Sequence, residues 1–174
     1  SKQQHQPWAA MLHFIDSHED TMILEGTLDD PLWKFLFALY AGRNCDAVIH
    51  TQVPCTVWDN TMIVVMSDHG LHYGPYLSTP QGLQERSQPL LHIHLPQSIS
   101  AETMHSNKDL YTTPFDVYET ILEVLVPQIM TTSSDRQEDN STATGSSLLQ
   151  SISSDRKDCS ATPGIPTYVC DLLN

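Results

Sequence analysis

Three short apolar runs stand out along the chain, with polar stretches between them. They are residues 8–15 (WAAMLHFI), 61–66 (TMIVVM) and 89–95 (PLLHIHL). Short apolar runs bounded by proline, aspartate or serine are typical of buried β-strands. The run at 61–66 is the clearest, because its β-branched and apolar residues occupy both faces and so indicate a sheet covered on both sides. We therefore predict three strands.

Two further segments show helical periodicity. Thr27–Pro31 has an oxygen-bearing cap, acids in the first turn and a proline just inside, and apolar residues then recur at helical spacing until Gly42. Thr113 and Pro114 repeat this start, and the apolar face that follows ends at Pro127. The order strand, helix, strand, loop, strand, helix predicts an α/β fold with parallel strand pairing as the default. In such sheets, functional residues gather beyond the carboxyl ends of the strands.

The chain divides by composition into three parts. Residues 1–130 carry the predicted strands and helices. Residues 131–147 are dominated by Ser, Thr, Asp, Asn and Gln, which predicts a flexible polar linker. Residues 148–174 form a C-terminal tail that holds a short apolar patch and a pair of cysteines.

The cysteines at positions 45, 55, 159 and 170 fall into two local pairs whose spacing fits no zinc knuckle. Two short disulfide loops would fit an extracellular or secretory localisation, and the glycosylation sequon that begins at Asn140 indicates the same. No apolar run approaches the ~18 residues of a membrane span, so we expect none in this chain. The chain begins at Ser1 without a signal peptide, so we expect a processed protein or a fragment.

The charge is strongly negative and lies mainly in the part predicted to fold. The formal net charge is −13, and residues 1–130 hold fifteen acids against five Lys or Arg. An acidic surface repels phosphate backbones, which argues against nucleic acid as a partner. Clustered carboxylates attract cations instead.

Two groups of potential metal ligands follow predicted strands. Asp68 and His69 come directly after the strand at 61–66, and carboxylate oxygens and imidazole nitrogens are both good ligands for Zn²⁺ and similar ions. Gly70 permits the bend that both side chains need to reach one ion. The second group follows the run at 8–15 and comprises Asp16, His18, Glu19 and Asp20. The structural alternatives are a turn-capping aspartate beside a surface histidine and a polar loop that leads into a helix.

Other histidines could serve a site or simply pack. His72 and Tyr73 lie further into the same loop, where they could reach a substrate, stabilise developing negative charge or fill the loop with aromatic contacts. His92 and His94 share one face of the strand at 89–95, and that face looks either toward the site or toward solvent. The sequence contains no phosphate-cradling glycine loop and no G-x-S-x-G elbow.

A set of segments in fixed order carries a family resemblance: SHED, TLDDPLWKFL, SDHGLHYGPY, QGLQERSQPLLHIHLP and LYTTPFDVYETILEVL. The apolar strand followed by Ser-Asp-His-Gly resembles the alkaline-phosphatase/sulfatase superfamily. The ordered set, together with GSSLL, DRKDC and GIPTYVC near the end, is most similar to a eukaryotic sulfatase-like family of secreted or membrane-anchored proteins. The resemblance covers almost the whole chain apart from residues 43–59 and 131–144.

The resemblance implies a fold and a set of ligands. The fold would be an alkaline-phosphatase-like three-layer α/β sandwich, of which this chain holds the C-terminal part of the sheet with flanking helices. Asp68 and His69 match ligands of a divalent metal ion (Zn²⁺, Mn²⁺ or Ca²⁺), and His18 matches an upstream ligand histidine. The aspartate expected four residues before that histidine is replaced by Phe14, which leaves a one-metal arrangement as an option. His72 would contact the substrate.

The resemblance also implies metal-dependent hydrolysis of phosphate or sulfate esters, on small-molecule, lipid or glycan substrates. The superfamily's nucleophile lies in an N-terminal half that has no counterpart here, so we expect no catalytic nucleophile in this chain. Two hypotheses follow: a hydrolase fragment that is inactive as an isolated chain, and a catalytically inactive truncated domain with a binding role or no independent role. A small disulfide-stapled binding module is disfavoured, because such modules lack long apolar strands and helices.

Overall fold

The computed structural model describes residues 8–15, 18, 25–42, 57–125, 145–166 and 169–171. In chain order, the helices and strands are α1 (Glu25–Ala41), α2 (Val57–Asn60), β1 (Ile63–Met66), α3 (Pro80–Ser87), β2 (Leu91–His94), α4 (Glu102–Ser106) and α5 (Pro114–Leu125). Short 3₁₀ turns cover Pro75–Ser78, Ser154–Lys157 and Cys159–Ala161. Outside the described residues lie the Cys45–Cys55 pair, the Asn140 sequon, most of the predicted linker, and Asp16, Glu19 and Asp20.

β1 and β2 confirm two of the predicted strands, but they pair antiparallel, so the expected parallel pairing is wrong for them. The register places Val64 opposite Ile93. The connection closes like a long hairpin, because the Ser67 N–H donates to Leu90 O at 3.0 Å and the Leu90 N–H donates to Ser67 Oγ at 2.9 Å. The chain therefore re-enters beside the strand it left, whereas parallel pairing requires a crossover.

Residues 8–15 do not form the predicted buried strand. They have no regular secondary structure and all are exposed, including Trp8 at 69% and Met11 at 88%. A strand needs a neighbour that pairs with its backbone N–H and C=O groups. Among the described residues the sheet consists of β1 and β2 alone, so the apolar run finds no such neighbour there.

α1 confirms the first predicted helix but begins at Glu25, before the predicted start at Thr27. Pro31 consequently lies inside the helix, where it removes one backbone donor. The helix ends beside Gly42 as predicted, and the Gly42 N–H donates to Ala38 O at 3.1 Å. Large side chains of α1 remain exposed: Trp33, Phe35, Phe37 and Tyr40.

Side chains of α1, α2 and both strands surround a cavity of about 200 Å³ beside the sheet. Trp58 of α2 lies between Tyr40 and His94, with ring centroids 5.4 Å and 4.0 Å away. The His94 Nε2–H donates to the carbonyl oxygen of Trp58 at 3.0 Å. His94 therefore packs against α2, which favours a packing role for this histidine over a role in the candidate site.

The most buried side chains lie where residues 146–156 pack onto α5. Asp116 is fully buried, accepts hydrogen bonds from the Thr113 and Ser146 N–H groups at 2.7 Å each, and pairs with Arg156 Nη1 at 2.8 Å. The bond to Thr113 closes the start of α5 as half of a capping box, which confirms the predicted helix start. A buried carboxylate requires such partners, since its charge would otherwise be unsolvated.

The rest of the C-terminal segment is fastened to the same region. The predicted disulfide between Cys159 and Cys170 is confirmed, with an S–S distance of 2.03 Å, and both cysteines are buried. The Asn107 side chain donates to the carbonyl oxygens of Leu148 and Gln150 at 3.0 and 2.8 Å. These contacts hold the segment after residue 145 against α4 and α5.

Candidate metal centre at the end of β1

The loop of residues 67–74 leaves the end of β1 and is fixed at three points. Ser67 bonds to Leu90 at the start of β2. Gly70 packs against α3, where a Cβ atom would lie 2.5 Å from the Glu85 carbonyl oxygen. Gly74 has a φ of 82°, which favours glycine, and directs the chain into the 3₁₀ turn that precedes α3. Both glycines of SDHGLHYG therefore serve the backbone path.

Asp68 and His69 are held by short-range hydrogen bonds. The His69 N–H donates to Asp68 Oδ1 at 2.9 Å, and the His69 Nδ1–H donates to the Gly70 carbonyl oxygen at 2.7 Å. The second carboxylate oxygen, Oδ2, lies 3.4 Å from His69 Nε2. Both side chains are exposed.

These bonds determine which tautomer of His69 is compatible with the geometry. A carbonyl oxygen can only accept, so the proton of the neutral ring lies on Nδ1 and the lone pair on Nε2. The Nε2 atom then lies 3.4 Å from the carboxylate oxygen Oδ2 of Asp68. Nε2 and Oδ2 both carry lone pairs, which is what a divalent ion requires of its ligands. Two ligands bound at 2.0–2.1 Å to a tetrahedral ion would be about 3.3 Å apart.

The electrostatics keep Asp68 ionised. The hydrogen bond from the His69 N–H holds the pKa of the Asp68 carboxyl below its ordinary value of 3.8. Burial opposes this effect, and nearby charge on His69 and His13 lowers the pKa further. Asp68 is therefore a carboxylate at neutral pH. His13 was not recognised from the sequence as a neighbour of Asp68. It is a single polar residue within the apolar run at 8–15, which predicts a strand.

His18 joins this region through aromatic side chains of the loop. Its Nδ1 lies 3.2 Å from the Tyr73 hydroxyl, and its ring centroid is 5.5 Å from that of His72 and 5.6 Å from that of Tyr73. The His72 ring in turn lies 4.7 Å from the His69 ring. His72 is thus the link between the upstream histidine and the histidine at the end of β1.

The structure brings the predicted site residues together to different degrees. Asp68 and His69 are at the separation of two ligands of one ion. His18 contacts His72 and Tyr73, and no contact joins it to Asp68 among the described hydrogen bonds and ion pairs. Within the described part of the chain, no three His, Cys, Asp or Glu side chains are grouped closely enough to hold a metal ion.

Comparison with known proteins places the chain in a family. A family model described as "Protein of unknown function (DUF229)" matches residues 7–171. The chain belongs to this family, which is sulfatase-like. No curated protein and no solved structure matches the chain. None of the helices described for this family member is long and apolar enough to cross a membrane.

Proposed function

We propose that this chain carries part of the active site of a metal-dependent hydrolase that cleaves phosphate or sulfate esters. Membership of a sulfatase-like family supports the reaction class. The observation that carries the metal site is the 3.4 Å approach of Asp68 Oδ2 and His69 Nε2, with the ring proton committed to Gly70. A mixed carboxylate and imidazole pair suits Zn²⁺ or Mn²⁺ better than Ca²⁺, which prefers oxygen ligands.

Each predicted residue has a proposed role in this site. Asp68 and His69 would hold the ion, and His18 would become a third ligand by moving toward them. A bound divalent ion would supply Lewis-acid polarisation of a phosphoryl or sulfuryl oxygen. His72 is exposed and lies beside both other histidine rings, so it would contact the ester or protonate its leaving group.

We further propose that the described residues are the C-terminal part of an alkaline-phosphatase-like three-layer sandwich, and that the nucleophile lies outside them. The exposed apolar side chains of residues 8–15 and of α1 support this, because a three-layer fold would cover them. The buried disulfide supports an extracellular or secretory setting. The substrate would be a small-molecule, lipid or glycan ester.

The alternative is a catalytically inactive domain that retains the motif. It is favoured by one observation, that the described residues contain no group of three His, Cys, Asp or Glu arranged as a metal site. In that case the Asp68–His69 pair would be a turn in which the carboxylate accepts a hydrogen bond from the His69 backbone N–H.

The two functions are separated by assays on the intact protein with aryl phosphate and aryl sulfate esters. Chelation should abolish hydrolysis, and Zn²⁺ or Mn²⁺ should restore it. Asp68→Asn should reduce the metal-restored rate by more than about 100-fold. Asp109→Asn, an exposed aspartate distant in sequence, is the matched control and should retain activity. Absence of hydrolysis with both esters and every metal would favour the inactive domain.

A further inference from the structure

Tyr73 contacts two histidines of the candidate metal centre. Its hydroxyl lies 3.2 Å from His18 Nδ1, and its ring meets the His18 and His72 rings edge to face, at 5.6 and 4.7 Å between centroids. The positive φ of Gly74 turns the chain immediately after Tyr73, and this turn fixes the position of the Tyr73 backbone. Tyr73 is half-buried, unlike His18 and His72, which are exposed.

The tyrosine hydroxyl contacts Nδ1 of His18, which leaves Nε2 outside this hydrogen bond. A phenol oxygen can accept a hydrogen bond, so the His18 Nδ1–H can donate to Tyr73 as the His69 Nδ1–H donates to the Gly70 carbonyl. In both histidines the proton then lies on Nδ1 and the lone pair on Nε2. Histidine ligands commonly have their second nitrogen held by an oxygen acceptor in this way, which fixes tautomer and ring orientation.

We infer that Tyr73 is a positioning residue, which holds the His18 ring with its proton on Nδ1 and leaves Nε2 available to a divalent cation. The inference rests on the proposed metal site at Asp68 and His69. It adds a residue that contacts neither the metal nor the substrate and acts through His18. It also assigns the ligating atom, Nε2, to both histidines.

Ring nitrogen chemical shifts test the positioning directly, without metal. In ¹⁵N-labelled protein above neutral pH, His18 should be protonated mainly at Nδ1. In Tyr73→Phe, which removes only the hydroxyl, the population of the Nε2-protonated tautomer should rise. Tyr76→Phe is the matched control, because it also removes a single hydroxyl, one that donates to Glu85 Oε1 at 2.7 Å. An unchanged His18 tautomer in Tyr73→Phe overturns the inference, whatever the metal result.

Zinc titration of the same variants tests the consequence. Tyr73→Phe should weaken Zn²⁺ binding by about 10-fold or more, as expected for loss of an outer-shell partner, and Tyr76→Phe should leave it unchanged. Equal loss of Zn²⁺ affinity in both variants, or no loss in Tyr73→Phe, would overturn the inference. Either result would leave the proposed metal binding by Asp68 intact. If the unmodified protein binds no Zn²⁺, the proposed function fails instead, and the nitrogen shifts alone then decide whether Tyr73 orients His18.

Discussion

The backbone around Asp68 and His69 determines which atoms of the two side chains remain free. Ser67 secures the loop to β2, and Gly70 allows it to lie against α3. The Asp68 Oδ1 and His69 Nδ1 atoms are engaged by neighbouring backbone groups, and the remaining Oδ2 and Nε2 atoms lie 3.4 Å apart. The pair is thus arranged before any ion binds, which reduces the ordering that binding requires.

Gly70→Ala should disturb this arrangement. The added methyl group would meet the Glu85 carbonyl at 2.5 Å, so we expect a loss of about 1–3 kcal/mol in unfolding free energy together with weaker metal binding. Gly26→Ala is the control, because a methyl group added there in α1 would meet no neighbouring atom within 4 Å and alanine is the better helix former. Urea unfolding measures both, and equal stability of the two variants would contradict the packing of Gly70.

The Asp68 pKa gives a second prediction. Because the hydrogen bond from His69 lowers it, the carboxylate contributes stability that is present above the ordinary value of 3.8 and is lost as the pH falls through the lower folded value. The Asp68 carboxyl ¹³C shift, followed against pH in the metal-free protein, should titrate below pH 3.8. A midpoint at or above that value would contradict the hydrogen-bonded loop.

The site residues that adjoin a clear strand could be predicted from the sequence, whereas those brought in by tertiary contacts could not. Asp68 and His69 adjoin a strand whose apolar run is unambiguous, so their position at a strand end could be predicted. His13 could not be associated with Asp68, because that proximity depends on the path of residues 8–15, which no local pattern specifies. The partnership of Tyr73 with His18, 55 residues apart, is likewise a tertiary contact.

Among the elements, the start of α5 was predictable because an apolar face follows its cap. Thr113 and Pro114 precede an apolar face, and α5 begins there. Thr79 and Pro80 give the same signal, and α3 begins there with Thr79 Oγ1 accepting from the Gly82 N–H at 3.0 Å. The predicted order has a loop between the strands at 61–66 and 89–95, where α3 lies, because PQGLQERS has too few apolar residues to show a helical period.

A buried ion pair is one of the contacts that attach residues 146–156 to α5. Arg156→Met keeps the length of the side chain but leaves Asp116 buried without its charged partner, so we expect a loss of about 3–5 kcal/mol in unfolding free energy. Lys34→Met is the matched control, because the Lys34–Asp30 pair is exposed and should contribute less than about 0.5 kcal/mol. Similar losses in the two variants would show that the buried pair does not hold this segment.

Across the whole molecule, burial is uneven. The side chains that pack around α5 and the C-terminal disulfide are buried, whereas residues 8–15 and α1 expose many large apolar side chains. The positions of α1, β1, β2 and α5 could be predicted from the sequence. The antiparallel pairing of β1 and β2 could not, because it depends on how the long connection between them closes. The exposed apolar surface is the feature that the proposed larger fold would explain.

This surface should make the chain associate in isolation. Trp33 and Phe37 stack on α1 with ring centroids 5.1 Å apart and are about half exposed or more, at 59% and 48%. Replacing both with Gln should reduce self-association and binding of an apolar dye. Tyr118→Gln, an exposed aromatic residue of α5, is the control and should change neither. Sedimentation that shows a monomer before any substitution would contradict this expectation.

The central claim, that Asp68 and His69 form a divalent-cation site, is tested most directly by calorimetric titration of Zn²⁺ into the metal-free protein at neutral pH. We predict one class of site, weakened by more than about 10-fold in Asp68→Asn and in His69→Ala, and unaffected in Asp109→Asn. Zinc affinity that is the same in all four proteins, or no binding by the unmodified chain, would contradict the claim.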